Sequence, residues 1–237
     1  RRVAISTLNG VACSDNSNVL TVTPNAISPG VIAGGGYVCV GSAPAAFTST
    51  TAGSGGGVIT YQWQSRTGSN AFADISGATS ETYDAPAVSV ATDFRRVATS
   101  TLNGVACSDN SNILTVTPNS ISPGVIAGSQ TLCSPFDPAA FTSTTAGSGG
   151  GVITYQWQSR TGSNAFADIS GATSETYDAP AVSVATDFRR VAISTLNGVA
   201  CSDNSNILTV TPNAISPGVI AGSQTLCSPF DPAAFTS

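Results

Sequence analysis

The chain has 237 residues, a formal net charge of −5 and only 9% charged side chains, and its eight basic residues are all arginine, with no lysine, histidine or methionine. Without histidine the commonest general base and metal ligand is missing, and without lysine neither Schiff-base chemistry nor a lysine–asparagine isopeptide crosslink is open. A mildly acidic chain with no basic patch is a poor partner for nucleic acid or an anionic membrane, and no apolar run approaches the roughly 18–20 residues of a membrane span.

The opening segment RRVAISTLNGVACSDNSN returns at Arg95, with Thr99 in place of isoleucine, and again at Arg189. Nearly every other segment recurs at the same 94-residue interval. That period exceeds solenoid repeats of about 20–50 residues and matches a whole small domain. Residues 1–26 read as the closing strands F–G of a truncated repeat, 27–120 and 121–214 as complete repeats, and 215–237 as the opening strands A–B of a further one. The start inside a repeat points to a window on a longer repetitive chain.

Within the repeat 121–214, SPGVIAGSQTLC is an extended apolar stretch after Pro123-Gly124, followed by PAAFTSTTAG and a Gly/Ser turn at Gly147–Gly151. VITYQWQS (Val152–Ser159) alternates, with Ile153, Tyr155 and Trp157 on one face and Thr154, Gln156 and Gln158 on the other. The turn RTGSN, the short segment AFADIS, the turn GATS and the runs ETYDAPAVSV, DFRRVAIST and NILTVTP complete the unit. About seven short strands at roughly 8–12-residue spacing, with no helical periodicity, predict tandem immunoglobulin-like antiparallel β-sandwiches.

Trp63 and Trp157 stand where such sandwiches bury a tryptophan on strand C. Tyr61 and Tyr155 are expected in the core beside them, with Ile59, Phe72, Ile75, Tyr83, Val97, Leu114 and Val116 as surroundings in the first repeat. The junction TPNSISPG (Thr117–Gly124) carries two prolines, which fix φ and donate no hydrogen bond, so a short stiff link and an extended rod are expected.

The six cysteines, Cys13, Cys39, Cys107, Cys133, Cys201 and Cys227, alternate at separations of 26 and 68 residues without a CxxC cluster, which speaks against zinc and thioredoxin chemistry and for an oxidising, extracellular compartment. Two pairings fit the period. Bonds within each domain, Cys39–Cys107 and Cys133–Cys201, are favoured and would each stabilise by ~4 kcal/mol in the chain-entropy model; their weakness is that strand A ends at the opposite pole from the F–G loop. The rival, Cys13–Cys39, Cys107–Cys133 and Cys201–Cys227, needs a chain reversal through the proline-rich junction. Strands B and F carry no cysteine, unlike antibody domains, and Phe94 and Phe188 stand near the tyrosine-corner position.

The ordered series ISPGVIAGSQTLC, ITYQWQS, FADISGATSETY, DFRRVAIST, NGVAC and SNILTVTP resembles the immunoglobulin-like repeats of very large cell-surface adhesins from gliding bacteria that use the type IX secretion route. The resemblance covers the whole chain and implies a long surface filament that contacts substrata or is carried along the cell. The sequence departs within the first repeat, where GGGYVCVGSAPAAF (Gly34–Phe47) replaces GSQTLCSPFDPAAF (Gly128–Phe141), as a tolerant surface loop would allow.

Other motifs read as structure. Carboxylates lie singly on turns and strand ends, and no DxDxDG loop occurs; a junctional calcium on Asp109, Asn110 and Asn112 is outweighed by turn and capping roles. SGSGGG lacks the lysine and helix of a phosphate loop. In the Arg95–Arg96 pair, alternation sends one arginine across the sheet, onto an aromatic or an aspartate, and the other towards solvent or the neighbouring sandwich.

The expected function is therefore a structural, adhesive repeat region of a secreted bacterial surface filament, not an enzyme, with no cofactor and no metal. Its expected partners are neighbouring repeats, other filament chains, surface polysaccharide or substratum, without nucleic acid or membrane insertion. Each unit would add roughly 30–45 Å of reach if strands of 7–9 residues rise about 3.3 Å per residue, plus loops. The rival readings are an array of carbohydrate-binding modules using Trp63 or Tyr61 as a sugar platform, and a non-catalytic spacer of a larger secreted enzyme.

Overall fold

The computed structural model describes residues 1–235, and every regular element in them is a β-strand. They form two compact units, Arg1–Pro118 and Asn119–Ser237.

The first unit begins with a hairpin of β1 (Val3–Leu8) and β2 (Val11–Asn16), whose strand residues are all exposed. Asn9 and Gly10, both at positive φ (51° and 80°), make its two-residue turn. The sandwich follows as β3 (Ile27–Ser28), β4 (Val31–Ala33), β5 (Gly36–Cys39), β6 (Thr48–Thr51), β7 (Ser54–Gly55), β8 (Val58–Thr67), β9 (Ala73–Asp74), β10 (Thr92–Leu102), β11 (Val105–Asn110) and β12 (Leu114–Asn119). Its larger sheet has the order β5-β12-β10-β8-β9, with β11 continuing along β10. The facing layer is slight: β3 pairs with β7, β4 with β6, and a bridge joins Phe47 to Tyr83. The turn into β4 needs Gly30, at φ 74°, because a Cβ there would lie 2.1 Å from the Thr51 carbonyl oxygen.

Alternation along β10 sorts the layers. Phe94, Arg96, Ala98 and Ser100 are buried between the sheets, while Arg95, Val97 and Thr99 are half-buried on the outer face. Val97, expected in the core, therefore lies outside it, and Ala98 takes the interior position. Asn103-Gly104 (φ 49° and 81°) turns the chain into β11. Val97 lies opposite Asn110, but Phe94 lies opposite Leu114, so an extra residue is accommodated between β11 and β12. That bulge re-aims Asn112. Its side-chain amide accepts from the Ile32 N–H and donates to the Ile32 carbonyl, at 2.9 Å each, so it pairs with β4 as a strand residue would.

The core of the first unit gathers Ile32, Phe47, Trp63, Phe94, Leu114 and Val116, with Tyr83 and Ile75 packed against it. The Trp63 ring stacks on Tyr83 at 5.5 Å and its indole N–H donates to the Ser80 carbonyl, 2.9 Å, so its one polar atom is satisfied inside.

The second unit repeats the design with β13 (Ile121–Ser122), β14 (Val125–Ala127), β15 (Gln130–Leu132), β16 (Thr142–Thr145), β17 (Ser148–Gly149), β18 (Val152–Thr161), β19 (Ala167–Asp168), β20 (Thr186–Leu196), β21 (Val199–Asn204) and β22 (Leu208–Pro212). Its main sheet has the order β15-β22-β20-β18-β19, and β15 runs parallel to β22. Two Greek-key-like layers, a buried strand-C tryptophan and a first strand that switches onto the edge beside the last make each unit an immunoglobulin-like sandwich. The variable segment Gly34–Phe47 is only partly a loop, since β5 within it supplies this edge strand.

The units divide between Pro118 and Asn119. Asn119, fully buried, donates to the carbonyls of Ser194 (2.8 Å) and Val199 (3.1 Å) and accepts from the Ser194 hydroxyl (2.9 Å). Asn25 makes the equivalent bonds to Ser100 and Val105 in the first unit. The asparagine one residue before the end of each copy of the repeat thus belongs to the fold of the next copy.

Candidate functional site

The outer face of the main sheet carries a polar cluster built from β8, β9, β10 and β12. Arg95 Nε donates to Gln64 Oε1 at 2.7 Å, and the Gln64 amide donates to Asp74 Oδ1 at 2.8 Å. Arg66 Nε reaches Asp93 Oδ2 at 2.9 Å, and the Thr115 hydroxyl donates to Asp93 Oδ1 at 2.7 Å. Phe72 lies between both guanidinium groups, 4.5 Å from Arg66 and 4.1 Å from Arg95. Phe72, expected in the core, is instead the centre of this surface, held by cation–π contacts. The Thr115 hydroxyl, more than the opposing effect of partial burial, and then Arg66, hold the Asp93 carboxyl below its ordinary value.

The same cluster recurs in the second unit. Arg189 bonds Gln158, Gln158 bonds Asp168, Arg160 pairs with Asp187, Thr209 donates to Asp187, and Phe166 lies 4.5 and 4.2 Å from Arg160 and Arg189. Two arginines balance two aspartates in each copy, and their polar groups are engaged with one another. Such a surface can meet hydroxyl-rich or polar material by hydrogen bonding and stacking; it offers no net charge for steering.

The other arginine of the pair points inward. Arg96 is fully buried with its guanidinium 4.3 Å over the Tyr61 ring. Its Nη1 donates to Glu81 C=O (2.7 Å) and Ser49 Oγ (3.0 Å), and its Nη2 donates to Pro29 C=O (3.1 Å) and Thr51 C=O (3.4 Å). No carboxylate takes part, so the charge is solvated by backbone carbonyls and a π face. Tyr61 is half-buried, and its hydroxyl accepts from the Gly53 N–H at 2.9 Å. Arg190 and Tyr155 repeat the arrangement. Trp63 and Trp157 are 0% exposed, so neither indole presents a face to a sugar.

A shallow hollow of 430 Å³ beside Ile75–Asp84 is lined by Ser76, Ser80, Thr82, Tyr83 and Asp84, and the second unit has its counterpart of 280 Å³. Burial, and then the Asp84 charge, push the Tyr83 hydroxyl up from its ordinary value. Asp109, raised above as a calcium ligand with Asn110 and Asn112, accepts from the Asn110 N–H at 2.8 Å, and Asn112 is committed to Ile32.

The model of a family described as "Domain of unknown function (DUF8696)" matches this chain twice, over residues 28–120 and 122–214. The chain belongs to the DUF8696 family. Each DUF8696 match contains one outer cluster and one buried arginine. Among solved structures, the chain is similar to the three N-terminal domains of the bacteriophage RB49 Highly Immunogenic Outer Capsid protein (Hoc), with 9% identity, coverage of 81% of this chain and 71% of that one, and a TM-score of 0.44. No curated protein matches it.

The cysteines of the DUF8696 units do not pair as the repeat period led us to expect. Cys39 and Cys201 are in disulfide linkage, whereas Cys13, Cys107, Cys133 and Cys227 are free thiols. The within-domain bonds Cys39–Cys107 and Cys133–Cys201 are therefore absent, and so is the rival set of three. The reason within a unit is distance. Cys201 lies opposite Ser194 on β20, while Cys133 follows β15, whose Gln130 lies beside Val210 and so level with Thr186. The eight residues of β20 from Thr186 to Ser194 rise about 26 Å at about 3.3 Å each, far beyond the ~7 Å Cα separation that a disulfide tolerates.

Three contributors were not singled out from sequence as site residues, Gln64, Asp74 and Asn119, and Asn112 was considered only as a calcium ligand. Gln64 and Asp74 carried a signal, because VITYQWQS places Gln64 on the polar face of its strand. Asn112 and Asn119 carried no signal of their backbone pairing, since a turn-forming asparagine and one that bonds a distant strand look alike in sequence.

Proposed function

We propose that this DUF8696 chain is a structural and adhesive repeat region of a secreted bacterial surface protein, acting through reach and multivalency and without a catalytic role. The observation that carries this reading is duplication of the whole outer cluster, contact for contact, in both units. A surface that is weak and electrically balanced in one copy gains from being repeated: linked sites can raise avidity by about 10²–10⁴ over a single site. The cysteines in disulfide linkage support an oxidising, extracellular location. The adhesin resemblance supports a filament of gliding bacteria exported by the type IX route, with polysaccharide or substratum as the surface it meets.

Burial of both tryptophans removes the indole platform from the carbohydrate-module reading; any polysaccharide contact would fall to Phe72 and its arginines. The test is an array series displayed on cells, with one to eight copies of the repeat, scored by detachment under flow. Attachment should rise steeply with copy number. Replacing Phe72 and Phe166 by serine should weaken attachment while leaving the circular dichroism spectrum intact. Attachment independent of copy number would overturn the proposal.

A further inference from the structure

The bonding of the outer cluster is one-sided at its arginines. Arg95 gives its Nε to Gln64 Oε1, and Arg66 gives its Nε to Asp93 Oδ2. Among the described residues, no hydrogen bond reaches Nη1 or Nη2 of either arginine. The acceptor side is the filled one: three of the four carboxylate oxygens of Asp74 and Asp93 already accept, from Gln64, Arg66 and Thr115. Donors stand open where acceptors do not, which is the complement of an anion. The second unit repeats the pattern, with Arg160 and Arg189 bonded through Nε alone.

Charge placement supplies a second observation. Residues 27–120 contain three cationic side chains, Arg66, Arg95 and Arg96, and no lysine or histidine. Arg96 is turned inward, so every outward positive charge of the repeat stands at one ring, both guanidinium carbons within 4.5 Å of the Phe72 centroid. Arg66 has a carboxylate partner and keeps 31% of its side chain in solvent. Arg95 has no carboxylate within ion-pair distance among the described residues and rests on the neutral Gln64. Two like charges at one ring, one of them uncompensated, are relieved by an anion that both can address.

We propose that each outer cluster binds a uronic acid unit of an acidic polysaccharide. The sugar carboxylate takes the open Nη edges of Arg66 and Arg95 beside Phe72 in one unit, and of Arg160 and Arg189 beside Phe166 in the other. A planar carboxylate matches the guanidinium fork, which can bond both its oxygens in parallel. Phe72 is half-buried, and its open part packs against the C–H groups of the pyranose ring. The cluster is neutral as a whole and the chain is acidic, so nothing draws the polymer from a distance. Recognition happens at contact, is weak in one copy and gains from repetition along both polymers. An anionic membrane would instead need the net positive field that this face lacks. The inference rests on the adhesive reading for the use of the site and deepens it by naming the chemistry of the surface met.

The test applies the full 237-residue chain to immobilised polygalacturonate, to its methyl ester, to neutral dextran and to dextran sulfate. The chain should be retained on polygalacturonate and not on the ester or dextran, and retention should weaken as salt rises from about 50 to 300 mM. Arg95→Gln with Arg189→Gln should cut retention by about tenfold, with the urea unfolding curve close to that of the parent chain. Gln64→Glu with Gln158→Glu, which gives Arg95 and Arg189 a carboxylate of their own, should weaken retention with every arginine in place. Four results would each overturn the proposal: no retention on polygalacturonate, equal retention on its ester, stronger retention on dextran sulfate, or retention unaltered by the arginine pair. Failure here is separate from failure of the adhesive reading. Attachment that rises with copy number while polygalacturonate is ignored overturns this inference alone. Attachment independent of copy number overturns the adhesive reading even where polygalacturonate retains the chain.

Discussion

Arg96 shows how one residue can set the cost of every neighbour. A guanidinium removed from water needs compensation at each donor, and this one receives three carbonyls, a serine hydroxyl and a tyrosine face, with Nε left unpartnered. Arginine is suited to this because its planar fork can address several acceptors at once and still stack. The carbonyls come from β6, from the segment before Tyr83 and from the turn before β4, so the side chain ties both layers together. Arg96→Met keeps the stem but strands those acceptors; it should lower the stability of the first unit by roughly 2–4 kcal/mol, measured by urea unfolding. Arg95→Met, on the outer face, should cost well under half as much, because its partners remain open to water.

At the scale of elements, the outer face of β8, β10 and β12 is held by charge. The depressed Asp93 carboxyl favours the folded state only while it is ionised. Its contribution is therefore fully present above the ordinary aspartate value near pH ~4 and is lost as pH falls through the lower folded value. Acid titration should show the first unit losing stability below about pH 4, and Asp93→Asn should flatten that part of the profile. Unchanged acid profiles would remove the hydrogen-bonded pair from the account. The raised Tyr83 hydroxyl works the other way: its neutral form is favoured below the ordinary tyrosine value near ~10, and that contribution disappears as pH rises through the folded value.

At the scale of the whole molecule, each folded unit borrows its first residue from the copy before it. Asn119→Ala removes two donated bonds and one accepted bond from the β20–β21 hairpin of the second unit. The second unit should lose about 1–3 kcal/mol and the first should keep its stability, which hydrogen exchange resolved by fragment can read. Equal loss in both units would contradict the assignment of Asn119 to the second fold. A repeat defined from Ile27 or Ile121 onward would thus lack a structural residue, although it spans the whole family match.

Composition and alternation by themselves settled the all-β class, the tandem organisation and the burial of Trp63 and Trp157, because these depend on local period and on the cost of leaving an indole in water. They did not decide which face Val97 and Phe72 occupy: alternation along β10 leaves open which of Arg95 and Arg96 turns inward, and the inward turn of Arg96 onto Tyr61 sends Val97 outward, while two flanking arginines hold Phe72 on the outer face. They did not decide the cysteines either. The 94-residue period fits both pairings considered from sequence equally well, and only the register of β15 on β22 and of β21 on β20 places the two thiols of a repeat at separate poles. A disulfide is decided by distance, and distance along a sheet comes from strand pairing, a tertiary quantity that sequence spacing does not measure.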